Sequence, residues 1–140
     1  MKVILDSNIL VSSLDPEDIF HSECIPIFER IINFDIEVFC PLLVLVETTC
    51  VIRRRTNNES IGYAVYRNLF NQKSINWLEM TADAAEKACI LGNNTGLRGG
   101  DAIVLQAAEQ YGYPLITKDR ELIKKAPKGI FVFEPSDLPL

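Results

Sequence analysis

Five short apolar runs, separated by stretches of helix length, constrain this chain more than anything else in its sequence. The runs are Lys2–Leu5, Ile36–Cys40, Ile75–Leu78, Leu115–Thr117 and Ile130–Phe133. Each is compact and bounded by polar or turn residues, as a strand buried on both faces is. Between them, helical patterns cover Asn8–Leu14, Ser22–Asn33, Leu42–Arg54, Ile61–Phe70, Ala82–Leu91, Ala102–Tyr111 and Glu121–Lys125. Thr81 stands where an N-cap belongs, and Asn57-Asn58 and Gly92–Gly100 read as loops. Strands alternating with helices predict βαβ units, hence a parallel sheet with helices on both faces. The expectation is one α/β domain over residues 1–140.

Composition narrows the function classes. Apolar residues make up 48% and charged residues 24%, an ordinary globular mix. No apolar run approaches the ~18 residues of a membrane span, and the opening MKVILDSN meets Asp6 too early for a secretion signal. A cytoplasmic protein without a membrane partner is expected. The net charge of −5 argues against a sequence-specific DNA binder. It leaves room for an enzyme that meets nucleic acid through bound cations and a local basic rim. Cys24, Cys40, Cys50 and Cys89 form no CxxC pair, and His21 is the single histidine, so a Cys/His zinc site has no support. The cysteines read as buried small hydrophobes. There is no G-x-S-x-G, no P-loop and no G-x-G-x-x-G.

Ligands of open α/β sheets bind at the carboxyl ends of the strands, and there the acids gather. Asp6 directly follows the first strand, and Asp119 comes two residues after Leu115–Thr117. Glu47 lies inside the apolar stretch Leu43–Ile52, where a carboxylate is costly to bury unpaired. Asp101 opens a helix immediately after Gly99-Gly100. Structural roles are open to each: helix caps for Asp101 and Asp119, an Asx turn for Asp6, a solvent-facing position for Glu47. As a set, four converging carboxylates repel one another, and a divalent cation removes the conflict. Hard oxygen donors without His or Cys select Mg²⁺ or Mn²⁺. Two such ions suit the in-line displacement of a phosphodiester by water.

These residues also carry a family resemblance. Ile4-Leu5-Asp6-Ser7-Asn8-Ile9-Leu10 resembles the opening of a PIN domain, where the aspartate after the first strand is followed by Ser or Thr and then Asn. Leu97-Arg98-Gly99-Gly100-Asp101-Ala102-Ile103, then Ala107-Ala108-Glu109 and Pro114-Leu115-Ile116-Thr117-Lys118-Asp119, resemble that family's C-terminal half. Glu47 matches its helical glutamate by position. The likeness spans nearly the whole chain, although Arg53–Gln72 bears no motif. At this length the chain is similar to the VapC-type toxins of toxin–antitoxin pairs. The resemblance implies a five-stranded parallel sheet, a metal-dependent RNA endonuclease, homodimerisation and inhibition by a small antitoxin. It implies Asp6, Glu47, Asp101 and Asp119 as metal ligands, with Asn8 and Thr117 orienting them through hydrogen bonds. A PIN-type nuclease of RNA processing and a non-catalytic nucleic-acid-binding PIN domain are the alternatives. A phosphorylated receiver is disfavoured, because it needs adjacent acids after the first strand and Asp6 is followed by Ser7.

The remaining candidates are less constrained. Arg98 and Lys118 flank the acids and are candidate phosphate contacts, whereas Lys124, Lys125 and Lys128 read as solvated surface. Arg53-Arg54-Arg55 and Arg67 suit either RNA phosphates or a solvated helix end. Tyr63 and Tyr66 could stack on a base if exposed. His21 reads as a helix-start residue, and Trp77 and most phenylalanines as core.

Overall fold

The computed structural model describes residues 1–138. Its elements are β1 (Lys2–Leu5), α1 (Ser7–Leu14), α2 (His21–Ile32), β2 (Glu37–Pro41), α3 (Leu42–Thr56), α4 (Glu59–Asn71), β3 (Ile75–Leu78), α5 (Ala82–Thr95), α6 (Gly99–Tyr111), β4 (Leu115–Ile116), α7 (Arg120–Lys125) and β5 (Val132–Phe133). A 3₁₀ turn, Pro135–Asp137, follows. All strand pairs are parallel, in the order β3-β2-β1-β4-β5. The seven helices flank this sheet, so the expected α/β architecture holds. No helix among the described residues is long and apolar enough to cross a membrane.

β1 explains the arrangement. Val3, Ile4 and Leu5 are fully buried, as are Leu115 and Ile116 of β4 and Val38 and Cys40 of β2. β1 pairs with β2 through Val3–Val38 and with β4 through Leu5–Ile116. The chain therefore winds outward in one direction from β1 to β2 and β3, then returns to start the other half at β4. Such a reversal leaves a crevice at the carboxyl ends of the two central strands. Asp6 caps α1 just beyond β1, and Asp119 caps α7 just beyond β4.

Several local expectations need correction. The Gly92–Gly100 loop shrinks to residues 96–98, because α5 runs on to Thr95 and α6 begins at Gly99. Gly92 is a packing glycine: a Cβ there would stand 3.4 Å from the Ala102 Cβ, so it lets α5 approach α6. Gly96, at φ 72°, ends α5 and donates its N–H to the Gly92 carbonyl. β5 is shorter than expected because Ile130 donates to the Pro127 carbonyl in a turn through Gly129, at φ 96°. Cys24 and Cys40 are buried, but Cys50 and Cys89 are exposed on helix surfaces; all four are free thiols. Phe34, Phe70 and Phe131 are likewise exposed. Trp77 packs against the core as expected, and His21 begins α2 with its Nδ1 2.8 Å from the Ser12 carbonyl.

Candidate active site

Asp6 is the most constrained of the four acids. It is 7% exposed, and its carboxylate accepts three hydrogen bonds. Oδ1 takes the Ser7 N–H at 2.8 Å; Oδ2 takes the Thr117 hydroxyl at 2.8 Å and the Asn8 Nδ2 at 3.1 Å. Burial pushes its pKa up, against the Thr117 and Ser7 hydrogen bonds, and the charges of Glu47 and Asp119 push it further.

Asn8 and Thr117 lock the two central strand ends together. Asn8 Nδ2 also donates to Thr117 Oγ1 at 3.1 Å, and Asn8 Oδ1 accepts the Lys118 N–H. Thr117 Oγ1 accepts the Asp119 N–H at 3.0 Å. Asp119 Oδ1 in turn accepts the Glu121 and Leu122 N–H groups at the start of α7. Thus the capping role open to Asp119 is real, Asp6 caps α1 where an Asx turn was the role open to it, and each also faces the other acids. Capping occupies only Oδ1 of Asp119.

Glu47 and Asp101 approach from the helices. Glu47 is half-buried on α3, beside the first turn of α6: a Cβ on Gly100 would lie 3.3 Å from its Oε2. Burial raises its pKa, the Ser7 hydroxyl opposes this, and the Asp101 charge adds to the rise. Asp101 does not cap its helix; Arg98 occupies the N-cap and Asp101 sits in the first turn. Its pKa is pushed up to about 6, first by burial and then by the charges of Asp119 and Asp6, with Arg98 opposing. The structure therefore brings all four acids into one electrostatic neighbourhood. No ion pair among the described residues reaches any of them.

The neighbourhood is open. Among the described residues no three His, Cys, Asp or Glu side chains stand close enough to make a ready-made metal group. Its donors are nonetheless all hard oxygens, spaced apart and in no ion pair among the described residues, which suits a cation that keeps part of its water shell. A cleft of about 410 Å³ opens beside Ser7, Asn8 and Asp119, with Arg55 and Lys118 in its walls.

The cations are differently placed. Arg98 is exposed and acts on both Asp101 and Glu121. Lys118 is already engaged, donating to Glu23 Oε2 at 2.9 Å and Glu134 Oε1 at 3.2 Å and lying 4.4 Å over the Phe20 ring. Burial works against its charge, but those carboxylates more than offset it. Two further residues belong to the site: Ser7, which faces Glu47, and Arg55, held by Asp15 and Asp18 at 2.8 Å each. Ser7 had a signal in its position between Asp6 and Asn8; Arg55 had none beyond the basic run.

Fold and site together define an α/β protein with an acidic centre at the switch point of a parallel sheet. The chain belongs to the PIN domain family, whose model matches residues 3–128. Solved structures share the fold. VapC20 of Mycobacterium tuberculosis, described as a sarcin-ricin loop cleaving toxin, is 15% identical with a TM-score of 0.75, over 87% of this chain and 93% of that one. FitAcB of Neisseria gonorrhoeae is 16% identical with a TM-score of 0.73, over 99% and 100%. A toxin–antitoxin complex from Klebsiella pneumoniae is 22% identical with a TM-score of 0.69, over 95% and 97%. No curated protein matches the chain in sequence.

Proposed function

We propose that this PIN domain is a Mg²⁺- or Mn²⁺-dependent endoribonuclease that hydrolyses RNA phosphodiesters and acts in the cytoplasm as the toxin of a toxin–antitoxin pair. The observation that carries the reading is the group of four carboxylates near the switch point, none of them in an ion pair among the described residues. Structural likeness to a toxin that cleaves the sarcin-ricin loop favours RNA as the substrate. Likeness to a toxin–antitoxin complex favours a small antitoxin as partner. An apolar groove of about 420 Å³ between α1, α2 and α4, lined by Leu14, Phe28, Ile32, Ile61 and Leu69, is suited to that antitoxin. A homodimer is part of the same reading.

Asp6, Glu47, Asp101 and Asp119 would hold the ion, which when bound lowers the cost of charge on the phosphate and on the attacking and departing oxygens. The chain's own residues do the positioning. Thr117 and Asn8 fix the Asp6 carboxylate, and the α7 cap fixes Asp119. Ser7 favours the charged form of Glu47. Asp101 holds a proton up to about pH 6 without an ion, so proton and cation compete for it. Arg98, exposed at the α6 N-cap, would meet a phosphate of the substrate.

The test is incubation of purified protein with total cellular RNA in Mn²⁺ or Mg²⁺, with EDTA and Asp101→Asn as controls. Discrete cleavage lost in both controls supports the reading. Cleavage surviving in Asp101→Asn removes the site assignment. No cleavage by folded, inhibitor-free protein leaves the non-catalytic binding alternative.

A further inference from the structure

The α3–α4 hairpin differs electrically from the rest of the molecule. Over residues 42–71 four Arg stand against two Glu, a net +2 in a chain of net −5. Arg55 is tied to Asp15 and Asp18. Arg54 and Arg67 are exposed and reach no carboxylate among the described residues. Arg53 lies along α4, where a Cβ on Gly62 would come within 3.3 Å of its own Cβ.

Aromatic rings line the same surface. Tyr63, Tyr66 and Phe70 are 57%, 41% and 49% exposed, and the Tyr66 and Phe70 ring centroids lie 5.7 Å apart. Tyr63 and Arg67 are one helical turn apart, as are Cys50 and Arg54. Between the helices opens a pocket of about 240 Å³, lined chiefly by Thr49, Cys50, Arg53, Tyr63 and Tyr66, with Glu59 as its one acid. Drug-sized sites hold about 300–1,000 Å³; this one suits a single flat ring. Thr49 Oγ1 is buried without a hydrogen-bond partner among the described residues. Thr48 and Thr56, on the same helix, donate back to the Val44 and Ile52 carbonyls at 2.7 and 2.8 Å. Thr49 makes no such back-bond and lines the pocket instead.

We propose that this face is a platform for single-stranded RNA: an unpaired base stacks on Tyr63 and Tyr66 over the Thr49 pocket, and Arg53, Arg54 and Arg67 meet the flanking phosphates. The proposal rests on the ribonuclease reading and says how that substrate is held. Interleaved aromatics and guanidiniums that pair with no carboxylate among the described residues, Arg53 donating only to the Asn57 amide oxygen at 3.3 Å, are the chemistry of single-strand binding, tolerant of sequence because every base has a π-face. Glu47, Cys50 and Arg54 share one stripe of α3, spanning about 10 Å, so a strand on the platform continues toward the acidic centre.

Binding is measured by fluorescence anisotropy of a labelled single-stranded RNA in EDTA, which separates binding from cleavage. Tyr63→Ala and Tyr66→Ala are expected to weaken Kd by about 5- to 150-fold, and Tyr66→Phe to bind as wild type. Arg54→Ala is expected to flatten the dependence of log Kd on log salt by about 0.7. A blunt RNA duplex, its bases covered, is expected to compete poorly. Should a tyrosine variant melt early, Arg54→Ala and Arg67→Ala, confined to exposed side chains, carry the test. Wild-type affinity and salt slope in these variants overturn the platform. A changed sedimentation coefficient of Tyr63→Ala with unchanged RNA affinity also overturns it, assigning the face to a protein partner. The two readings fail separately. Protein that binds RNA through Tyr63 but cleaves none keeps the platform and loses the enzyme; protein that cleaves, with binding indifferent to Tyr63, does the reverse.

Discussion

Asp119 holds a helix end with one oxygen and faces the other acids, so its two roles separate by substitution. Asn keeps the capping oxygen and removes the charge; Ala removes both. Asp119→Asn is expected to lose RNA cleavage by at least roughly a hundredfold, as the several kcal/mol of metal-assisted stabilisation implies, with a near-wild-type urea midpoint. Asp119→Ala is expected to lose a further ~1 kcal/mol of stability. Asp101 allows a sharper test. Its folded pKa, about 6, lies above the ordinary 3.8, so the folded state binds the proton more tightly and ionisation destabilises it. Its stabilising contribution is full below about pH 4 and is lost as pH rises to about 6. In metal-free buffer the Tm of Asp101→Asn is therefore expected to gain on wild type across that window and run parallel above it. A constant Tm difference from pH 4 to 7 would sink the assignment.

Elements show where local chemistry decides the chain's path. α2 ends in a Schellman turn: Phe34 donates to the Ile31 carbonyl and Asp35 to the Arg30 carbonyl. The residue that must turn left-handed there is Phe34, at φ 64°, a conformation costly for a bulky side chain. Because that side chain is 65% exposed, Phe34→Gly is expected to raise stability by about 0.5–1 kcal/mol in urea unfolding. α5 was legible at its start, where the Thr81 hydroxyl accepts the Ala84 N–H, but not at its end. Gly92, Asn93 and Asn94 have the composition of a loop; contact with α6 across Gly92 holds them helical. Cys50 and Cys89 are exposed rather than buried for a related reason, since residue type alone does not say which stripe of a helix meets the core.

For the whole molecule, the proposed function leaves the charge of the acidic centre to a bound cation. Cation binding to the folded state alone is expected to raise wild-type stability by about 1.4 kcal/mol at ten times Kd. Mg²⁺ is therefore expected to raise the Tm of wild type at pH 7.5, to do so less below pH 6 where protons compete, and to leave Asp101→Asn unmoved. An equal rise in both proteins would remove Asp101 from the ion site. The parallel α/β architecture, and the places of Asp6, Glu47, Asp101 and Asp119 along it, were legible in the residues alone. Strands buried on both faces and residues that follow strand ends leave their trace within a few neighbouring positions. Tertiary structure alone decided that β4 lies beside β1, which brings Thr117 to Asp6 across 111 positions of sequence. It also tied Lys118 to Glu23 and Glu134 and, among the described residues, left the Thr49 hydroxyl without a hydrogen-bond partner and spread the acids into an open group rather than a closed cage. Those outcomes depend on strand order and helix crossing, which join residues far apart in the chain and which no local window of sequence contains.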